Sequence, residues 1–387
     1  MSTKGFQTPK SATRLLQDLI SIPSVNPDGD PGCPSTGEQQ IGEYIAAFLK
    51  KCGAEVDLVP VLPGRPNVIA HFKAPRAPHA LPITFAPHLD TVSVRGMTID
   101  PFHPKIVAGK IFGRGASDTK GPMAAMLWAL KNWSEKQKPA SRTLPIVFAG
   151  LMGEEAGNDG AIHLMKSGFK TDFAIIGEPT DLKIVHAHKG ALWFTVETVG
   201  KSCHASTPER GKNAILLMTE IIRTLENDLV PFLHAQSHPH LGKPSFNIGT
   251  ITGGSKVNIV PSQCKIECDI RTVPGCGMEE IEKQLKITLK RFSGVICKIS
   301  RSPASLDTSP QHPWVQRLIP FTKGITTAPW FCDAAVFSQY KTAAIAIGPG
   351  SIQQAHTVDE FIREKEFLRG VQMFERFLTS DFSTYRR

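Results

Sequence analysis

Acidic and imidazole side chains follow four apolar stretches of the sequence, at the point where each stretch ends. His88 and Asp90 follow LPITFAP, Glu154 and Glu155 follow LPIVFAGLMG, Glu178 follows FAIIG, and His356 follows TAAIAIGPG after a short loop. If the stretches are strands of one sheet, these side chains meet at its carboxyl edge, where open α/β sheets bind ligands. Carboxylates gathered there repel one another unless a cation neutralises them. The pattern therefore indicates a metal site.

A fifth acid, Asp118, lies in GRGASDTKG immediately before a predicted helix. Two imidazoles with three carboxylates suit two divalent ions that share one carboxylate, an arrangement used for hydrolysis. Zinc is typical of such ligands, and Co²⁺ or Mn²⁺ are alternatives. Each residue taken alone also has a structural explanation: His88 as a core histidine, Asp118 as a helix cap, and Glu154 with Glu155 as a solvated loop.

Alternating predicted helices and strands would position these side chains. Helical periodicity is present in residues 8–20, 36–52, 119–136, 158–168 and 359–378, and short buried strands are predicted at 68–74, 81–86, 144–149, 172–176 and 342–347. This order predicts a doubly wound α/β sheet.

A different pattern lies between the last two of these strands. It predicts strands at 192–199, 245–251, 263–272 and 295–301, with helices at 213–229 and 278–292. The order β-α-β-β-α-β is that of a ferredoxin-like unit. We therefore predict an inserted domain at 184–303 within a catalytic domain that is formed by 1–183 and 304–387.

Six motifs in this order resemble one known family. PHLDTV, GRGASDTKGPMAA, GEE, GEPT, SCHASTPERGKNAI and AHTVDEFI are similar in sequence and spacing to motifs of the di-zinc family that includes acetylornithine deacetylase, succinyl-diaminopimelate desuccinylase, aminoacylases and carboxypeptidase G. The resemblance extends from SIPSVNP at 21–27 through the last predicted helix. It implies a zinc-exopeptidase-like catalytic domain, with the inserted ferredoxin-like unit as a dimerisation domain.

The resemblance also implies roles for the residues at the strand ends. It makes Asp118 the bridging ligand, with His88 and Glu178 completing one Zn²⁺ site and Glu155 and His356 the other, so that each subunit holds two ions. Asp90 would orient the His88 imidazole by hydrogen bonding. Glu154 would be the general base that moves a proton from the attacking water to the leaving amine.

Three residues of the inserted domain match family motifs as well. His204, in SCHASTPERGKNAI, would donate a hydrogen bond to the oxyanion in the active site of a partner subunit, so that activity requires a homodimer. Asn258 and Arg271 resemble substrate-binding residues, and a forked guanidinium suits a substrate carboxylate. The alternatives are that His204 caps the following helix and that Arg271 is a surface strand residue.

The predicted function is hydrolysis of the amide bond of a small N-acyl amino acid, as in acetylornithine deacetylase, because GEPTDL followed by HKG most resembles that branch. A dipeptidase or a carboxypeptidase G-like metallopeptidase is the alternative, and a non-catalytic metal-binding relative is a further one. Where many relatives have Gly-Thr-Asp or Gly-Thr-Ser-Asp, this chain has Trp330, Phe331, Cys332 and Asp333. Because Trp330 and Phe331 are bulky, the side chain and the acyl group of the substrate stay open.

Composition argues against several other classes. The formal net charge is +9, but Lys and Arg are scattered, so we expect no nucleic-acid partner. No stretch approaches the roughly 18 apolar residues that span a bilayer, so we expect no membrane partner. The segment MSTKGFQTPKSATRLL lacks an apolar signal core, which predicts a cytoplasmic protein. The eight cysteines show no CxxC pair and are expected to be free thiols.

Overall fold

The computed structural model of the 387-residue chain describes residues 6–33, 35–301 and 305–380. The α-helices in these ranges are α1 (Ala12–Ile20), α2 (Gln39–Lys51), α3 (Lys120–Lys136), α4 (Asp159–Lys166), α5 (Ala214–Thr224), α6 (Val230–His234), α7 (Met278–Leu289), α8 (Pro313–Leu318), α9 (Ala334–Gln339) and α10 (Glu364–Thr379). The strands are β1 (Glu55–Leu62), β2 (Arg65–Phe72), β3 (Ile83–Pro87), β4 (Lys105–Val107), β5 (Lys110–Phe112), β6 (Ile146–Gly150), β7 (Phe173–Gly177), β8 (Ile184–His188), β9 (Gly190–Val199), β10 (Ser245–Gly253), β11 (Gln263–Thr272), β12 (Val295–Arg301), β13 (Leu306–Asp307), β14 (Ile325–Ala328), β15 (Ala344–Ala346) and β16 (Phe361–Arg363).

Parallel strands form the centre of the largest sheet, whose order is β1-β2-β6-β3-β7-β15-β8-β13, with β14 paired to β8. Strand β3 is parallel to β6 and β7, and β7 is parallel to β15. The chain passes from β3 to β6 through α3, and from β6 to β7 through α4, because parallel neighbours need a crossover. All residues of β3, β6 and β7 are buried, as is typical of strands covered by helices on both faces. The doubly wound α/β prediction is confirmed.

Apolar side chains of α1, α2, α3 and α10 form one core with this sheet. In that core the ring of Phe85 on β3 meets Phe374 and Phe377 of α10 edge-on, at centroid distances of 5.8 and 6.4 Å. Aromatic pairs in this geometry contribute about 0.5–1.5 kcal/mol beyond the area that they bury. Helix α10 therefore fastens the C-terminal part of the chain to the strand that precedes His88.

The carboxyl ends of three central strands lie at the same edge. Pro87 at the end of β3 pairs in register with Gly177 at the end of β7, and His88 forms a bridge with Leu151, just beyond β6. The residues that follow β3, β6 and β7 therefore leave the sheet side by side. These are the positions from which the sequence predicts a metal site.

The second sheet has the order β10-β11-β9-β12, with all neighbours antiparallel. Side chains of α5 and α7 share a core with one face of it, including Phe194 and Ile270, while Trp193 on the other face is half-exposed. This strand order, with the sequence β9-α5-β10-β11-α7-β12, is that of a ferredoxin-like unit. That part of the predicted fold is confirmed as well. A small third sheet has the order β16-β5-β4.

Contacts between Cα atoms divide the chain into two compact units. Among the described residues, unit 1 consists of those from 6 to 186, 308 to 326 and 332 to 380, and unit 2 of those from 187 to 307 and 327 to 331. The predicted domain limit at residue 184 falls on the first residue of β8. The predicted limit between 303 and 304 lies outside the described residues.

Several predicted element limits are wrong. The last helix begins at Glu364 instead of residue 359, because β16 pairs with β5 just before it. The helix predicted at 213–229 ends its α-helical part at Thr224 and continues as a π-helical segment to Leu229. Strand β1 was not predicted, since it lies at a sheet edge and contains Pro60.

The structure bears on two features that were considered from the composition, the cysteines and long apolar helices. All eight cysteines lie in the described residues and are thiols outside any disulfide, as predicted. Within the described ranges, no helix combines the length and the apolar character that a membrane span needs.

Candidate metal centre

The Asp118 carboxylate lies between two imidazoles. Its Oδ1 is 3.1 Å from Nε2 of His88, and its Oδ2 is 3.5 Å from Nε2 of His356. Asp118 belongs to the loop between β5 and α3, His88 directly follows β3, and His356 lies in the loop before β16. One carboxylate therefore presents each oxygen to a different imidazole, as expected of a carboxylate that two metal ions share.

Glu155 belongs to this cluster, and Glu178 has a buried carboxylate whose pKa responds to the charges of Asp118 and Glu155. Oε2 of Glu155 lies 3.2 Å from Nε2 of His356, and one ligand atom each of His88, Asp118 and Glu155 all lie within 4.8 Å of one another. Oε1 of Glu155 and Oε1 of Glu178 are buried and have no hydrogen-bond partner among the described residues. Buried carboxylate oxygens normally have a hydrogen bond or a metal ion. The donor set and the two orphaned oxygens therefore fit metal binding.

Burial and, after it, the charges of neighbouring acids act on the pKa values of the buried carboxylates. Burial, followed by the charge of Asp118, raises the pKa of Glu155 to about 7 and raises the pKa of Glu178 well above its usual range. Burial also opposes ionisation of Asp118, but hydrogen bonds with His356 and His88 hold its pKa below its usual range. Without a cation the cluster is short of positive charge, and a divalent ion would favour the ionised form of every ligand.

The two imidazoles differ in exposure. His88 is buried, whereas the side chain of His356 is 56% exposed. Hydrogen bonds with Asp118 and then Glu155 raise the pKa of His356 to about 10. Burial disfavours the charged form of His88, but hydrogen bonds with Asp118 and Asp90 raise its pKa well above its usual range. Protonation of these rings therefore competes with metal binding, which requires neutral imidazole nitrogens.

Asp90 holds His88 and the loop after β6 together. Nδ1 of His88 lies 3.0 Å from the carbonyl oxygen of Asp90 and 3.3 Å from its Oδ1. Oδ1 accepts the backbone N–H of Glu154 at 3.1 Å, and Oδ2 accepts that of Glu155 at 3.1 Å and the side-chain amide of Asn26 at 2.8 Å. Burial would raise the pKa of Asp90, but the hydrogen bond and charge of His88 keep it lowered. This carboxylate therefore orients an imidazole and two loop residues at once.

Glu154 and Glu155 have different surroundings although they are adjacent. The Glu155 carboxylate contacts His356, whereas the partly buried Glu154 carboxyl makes no hydrogen bond or ion pair within the described part of the chain. Burial raises the pKa of Glu154 well above its usual range, and the charges of Glu178 and Asp333 raise it further. A carboxyl with a raised pKa and no competing partner is suited to proton transfer.

Glu360 supports the Asp118 loop and was not among the predicted site residues. Its Oε1 accepts the backbone N–H of Ser117 at 2.8 Å and of Asp118 at 3.0 Å, and its Oε2 accepts that of Gly115 at 2.9 Å. Nη1 of Arg114 donates to Oε2 at 2.9 Å. The signal for Glu360 in the sequence is its place in AHTVDEFI, four residues after His356.

Asp333 is a second buried acid that was not predicted as part of the site. Its Oδ1 accepts a hydrogen bond from Nδ2 of Asn158 at 2.9 Å, and its Oδ2 has no partner among the described residues. Burial raises the pKa of Asp333 to about 7. Its charge raises the pKa of Glu154 and of Glu178, which shows that it faces the same cluster.

The three remaining predicted site residues lie in unit 2. His204 and Asn258 are exposed and neighbour each other, because the N–H of Ala205 donates to the carbonyl of Asn258 at 3.1 Å. Nδ1 of His204 contacts the hydroxyl of Ser206 at 2.7 Å. His204 does not cap a helix, since the side chain of Asn213 caps α5.

Arg271, on β11, has a side chain that is 34% exposed and donates from Nε to Oδ2 of Asp269 at 2.8 Å.

Two aromatic residues shortly before Asp333 in the sequence pack around His188. The ring of Trp330 stacks on the His188 ring at a centroid distance of 6.1 Å, and the ring of Phe331 meets the His188 ring edge-on at 5.5 Å. His188 is fully buried, and burial lowers its pKa to about 4. The unusual aromatic pair is therefore packed against a neutral imidazole of unit 2.

The sequence matches the peptidase family M20/M25/M40 over residues 84–380. It is 31% identical over 374 residues to an acetylornithine deacetylase of Vibrio campbellii, a match that covers 91% of this chain and 93% of that protein. It is 32% identical over 362 residues to an acetylornithine deacetylase of Photorhabdus laumondii, with 90% of this chain and 91% of that protein covered.

The fold of this chain resembles the folds of solved structures. An M20 family metallo-carboxypeptidase from Sulfolobus solfataricus superposes with a TM-score of 0.80 and 20% identity, covering 95% of this chain and 98% of that one. Human carnosine dipeptidase 1 superposes with a TM-score of 0.69 and 19% identity, covering 95% and 96%. At this level of identity the likeness concerns the fold and carries no information on the substrate.

Proposed function

Because the chain belongs to the peptidase family M20/M25/M40, we propose that it is a di-zinc amidohydrolase that removes the acyl group from a small N-acyl amino acid. Membership of this family makes the chain a hydrolase with a metal-binding site. The identity and number of the metal ions, the acyl group and the amino acid are the parts that we propose.

The observation that carries the proposal is the position of Asp118 between His88 and His356. We assign His88, Asp118 and Glu178 to one Zn²⁺, and Asp118, Glu155 and His356 to a second. The orphaned buried oxygens of Glu155 and Glu178 support this assignment. Bound at these ligands, the ions would polarise the amide carbonyl and acidify the water that attacks it.

Glu154 is the proposed general base. Its carboxyl makes no competing hydrogen bond within the described residues, and burial raises its pKa well above its usual range. A carboxylate oxygen of Glu154 would take a proton from the attacking water and give it to the nitrogen of the leaving amine. Asp90 fixes the backbone of Glu154 through the N–H that it accepts, which keeps the base in one place.

Unit 2 supplies the proposed substrate contacts. Arg271 and Asn258 would bind the α-carboxylate of the substrate, and both side chains are accessible for this task. With Nε held by Asp269, the terminal nitrogens of Arg271 remain to form a fork onto a carboxylate. His204 would donate a hydrogen bond to the oxyanion in the active site of a second subunit, which makes the proposed enzyme a homodimer.

Exposed apolar side chains on unit 2 support a homodimer. Strand β10 is an edge of its sheet, and Ile251 on it is 58% exposed. Leu216 on α5 is 64% exposed, and Val257 in the loop after β10 is fully exposed. An unpaired strand edge beside exposed apolar side chains is typical of a surface that another chain covers.

The named relatives favour an acetylated amino acid as the substrate, since two proteins at 31% and 32% identity are acetylornithine deacetylases. A dipeptidase or carboxypeptidase is the second candidate, because the family to which the chain belongs is a peptidase family. Both reactions cleave an amide next to an amino acid and use the same cluster.

A substrate panel tests the proposal. Zinc-loaded protein is incubated with acetylated amino acids, including N-acetylornithine, with succinylated amino acids, and with dipeptides, and release of the free amine is measured. We expect hydrolysis of an acetylated amino acid, and none by the Glu154→Ala variant. Hydrolysis of dipeptides alone would favour the second candidate, and hydrolysis of no member would contradict both.

A further inference from the structure

We propose that the hydrogen bond between Asn158 and Asp333 positions the loop that carries Glu154 and Glu155. The inference rests on the proposed function, because it assigns a task to two residues that support the proposed base and a proposed ligand. Neither residue touches the reacting atoms in this account. Both act as positioning residues.

The loop from Gly153 to Asn158 closes on itself. The backbone N–H of Asn158 donates to the carbonyl of Gly153 at 2.8 Å, and Asn158 adopts a left-handed backbone with φ of 62°. Residues other than glycine adopt that conformation at a cost, although Asn tolerates it better than most. The ends of the loop are therefore fixed to each other, and the pair Glu154 and Glu155 moves with them.

The loop is held from two sides. On one side, Asp90 accepts the backbone N–H groups of Glu154 and Glu155, at 3.1 Å each. On the other side, the Asn158 side chain donates to Asp333 at 2.9 Å. Both partners of this second hydrogen bond are buried, with Asn158 4% and Asp333 1% exposed. A buried hydrogen bond is not weakened by competition with water, so it can fix a loop.

Asp333 connects the loop to the surroundings of another proposed ligand. It immediately precedes α9, which packs beside α4, β7 and β15. Glu178 directly follows β7. Through Asn158 and Asp333, the loop that carries Glu154 and Glu155 is therefore linked to α9, which packs beside β7, the strand that precedes Glu178.

Stability alone does not explain a carboxylate at position 333. Its Oδ2 is buried without a hydrogen-bond partner in the described residues, and Glu154 and Glu178 are nearby acids. Burying a carboxylate with an unpaired oxygen close to other acids costs free energy. An asparagine would present the same acceptor without the charge. The positioning task depends on the oxygen that accepts from Asn158 and not on the charge, so an asparagine at position 333 should perform it as well.

Four variants separate positioning from general stability. Asp333→Asn keeps an oxygen that can accept from Asn158, whereas Asp333→Leu has a similar volume and no acceptor. Asn158→Asp places two carboxylates against each other. The double variant Asn158→Asp with Asp333→Asn restores one hydrogen bond with donor and acceptor exchanged.

The measurements are kcat and KM on the best substrate of the panel, the affinity for Zn²⁺ by calorimetric titration, and Tm. We expect Asp333→Leu and Asn158→Asp to lower kcat by about tenfold to 100-fold with KM nearly unchanged, because small displacements of a reacting group have effects of this size. They should also weaken Zn²⁺ binding, since Glu155 is on the same loop. Asp333→Asn and the double variant should stay within about threefold of the wild-type kcat.

Wild-type kcat in both Asp333→Leu and Asn158→Asp would overturn the proposal, and so would a double variant no better than Asn158→Asp. A lower Tm with unchanged kcat would show a merely structural role, which also overturns it. If Asn158→Asp does not fold, Asp333→Leu and Asp333→Asn carry the same contrast. If the wild-type protein hydrolyses no panel substrate, the proposed function fails, but Zn²⁺ affinity still tests the loop: it must fall in Asp333→Leu and persist in Asp333→Asn.

Discussion

Oε1 of Glu360 accepts the backbone N–H of Asp118 at 3.0 Å, across 242 positions of sequence. The same carboxylate accepts two further N–H groups of the loop and pairs with Arg114, so that a single buried acid determines the course of the Asp118 loop. Because Glu360 lies four residues after His356, one short segment supplies a proposed ligand and the support of another.

Replacing Glu360 should therefore loosen the metal site. In Glu360→Ala the guanidinium of Arg114 and three backbone N–H groups lose their acceptor, and breaking a buried pair on one side costs about 3–5 kcal/mol. We expect a lower free energy of unfolding by urea and weaker Zn²⁺ binding. Asp359→Asn, at the exposed neighbouring acid, is the control and should change neither quantity. Wild-type zinc affinity in Glu360→Ala would show that the loop does not depend on this residue.

The division of tasks between Glu154 and Glu155 is testable by single substitutions. Glu154→Ala should keep the bound zinc and lose activity by about 10²- to 10⁴-fold, the usual contribution of a general base. Glu155→Ala should lose zinc as well. Bound metal is measured by atomic emission after dialysis, and Glu279→Ala, at an exposed acid of α7, is the control. An active Glu154→Ala enzyme would rule out this residue as the base.

Zinc binding should release a proton from His356. In the metal-free protein Asp118 and Glu155 raise the pKa of His356 to about 10, so its ring is protonated at neutral pH. A metal ion binds the neutral ring, so the proton must leave, and apparent affinity should increase with pH over the range below that pKa. Calorimetric titration of Zn²⁺ in buffers with different ionisation enthalpies measures the release. His356→Gln should release about one proton fewer, and an equal release would contradict the assignment.

Unit 2 should lose stability in mild acid because of His188. Burial lowers the pKa of this histidine from 6.5 to about 4, so between these values the unfolded chain binds a proton that the folded chain does not. Stability contributed by His188 is therefore complete above pH 6.5 and decreases as the pH falls toward 4, by up to about 3 kcal/mol. His188→Phe preserves a ring beside Trp330. Its Tm should fall less than the wild-type Tm between pH 6.5 and 4.5, and parallel curves would contradict the prediction.

The sequence predicted the site best where a side chain that can bind metal follows a buried strand. His88, Glu155 and Glu178 each follow a buried strand closely, and the parallel register of β3 with β6 and β7 brings those ends together. Five separated motifs therefore predicted one cluster. In the structure, ligand atoms of Asp118, His88 and Glu155 lie within 4.8 Å of one another. The order of helices and strands in the ferredoxin-like unit was also predictable, because each of them has a clear hydrophobic periodicity.

The residues that support the site loops by hydrogen bonds were not predictable in the same way. Glu360 and Asp333 have no metal-ligand spacing, and their partners are N–H groups or an amide distant in sequence. Acidic side chains are usually exposed, so residue type alone does not indicate that Glu360 or Asp333 is buried, and the signal for Glu360 is its place in AHTVDEFI. Strand β16 was missed for a related reason: it has three residues, and its pairing partner β5 lies about 250 residues earlier, as Ile362 paired with Ile111 shows.

The measurement that tests the central claim most directly is anomalous diffraction at the zinc edge from crystals of the protein loaded with Zn²⁺. We expect two peaks per chain, separated by roughly 3.5–4 Å, with Asp118 between them. One peak should lie at about 2.0–2.1 Å from Nε2 of His88 and the other at a similar distance from Nε2 of His356. Absence of a peak beside Asp118, in a protein that also binds no zinc in solution, would contradict the account.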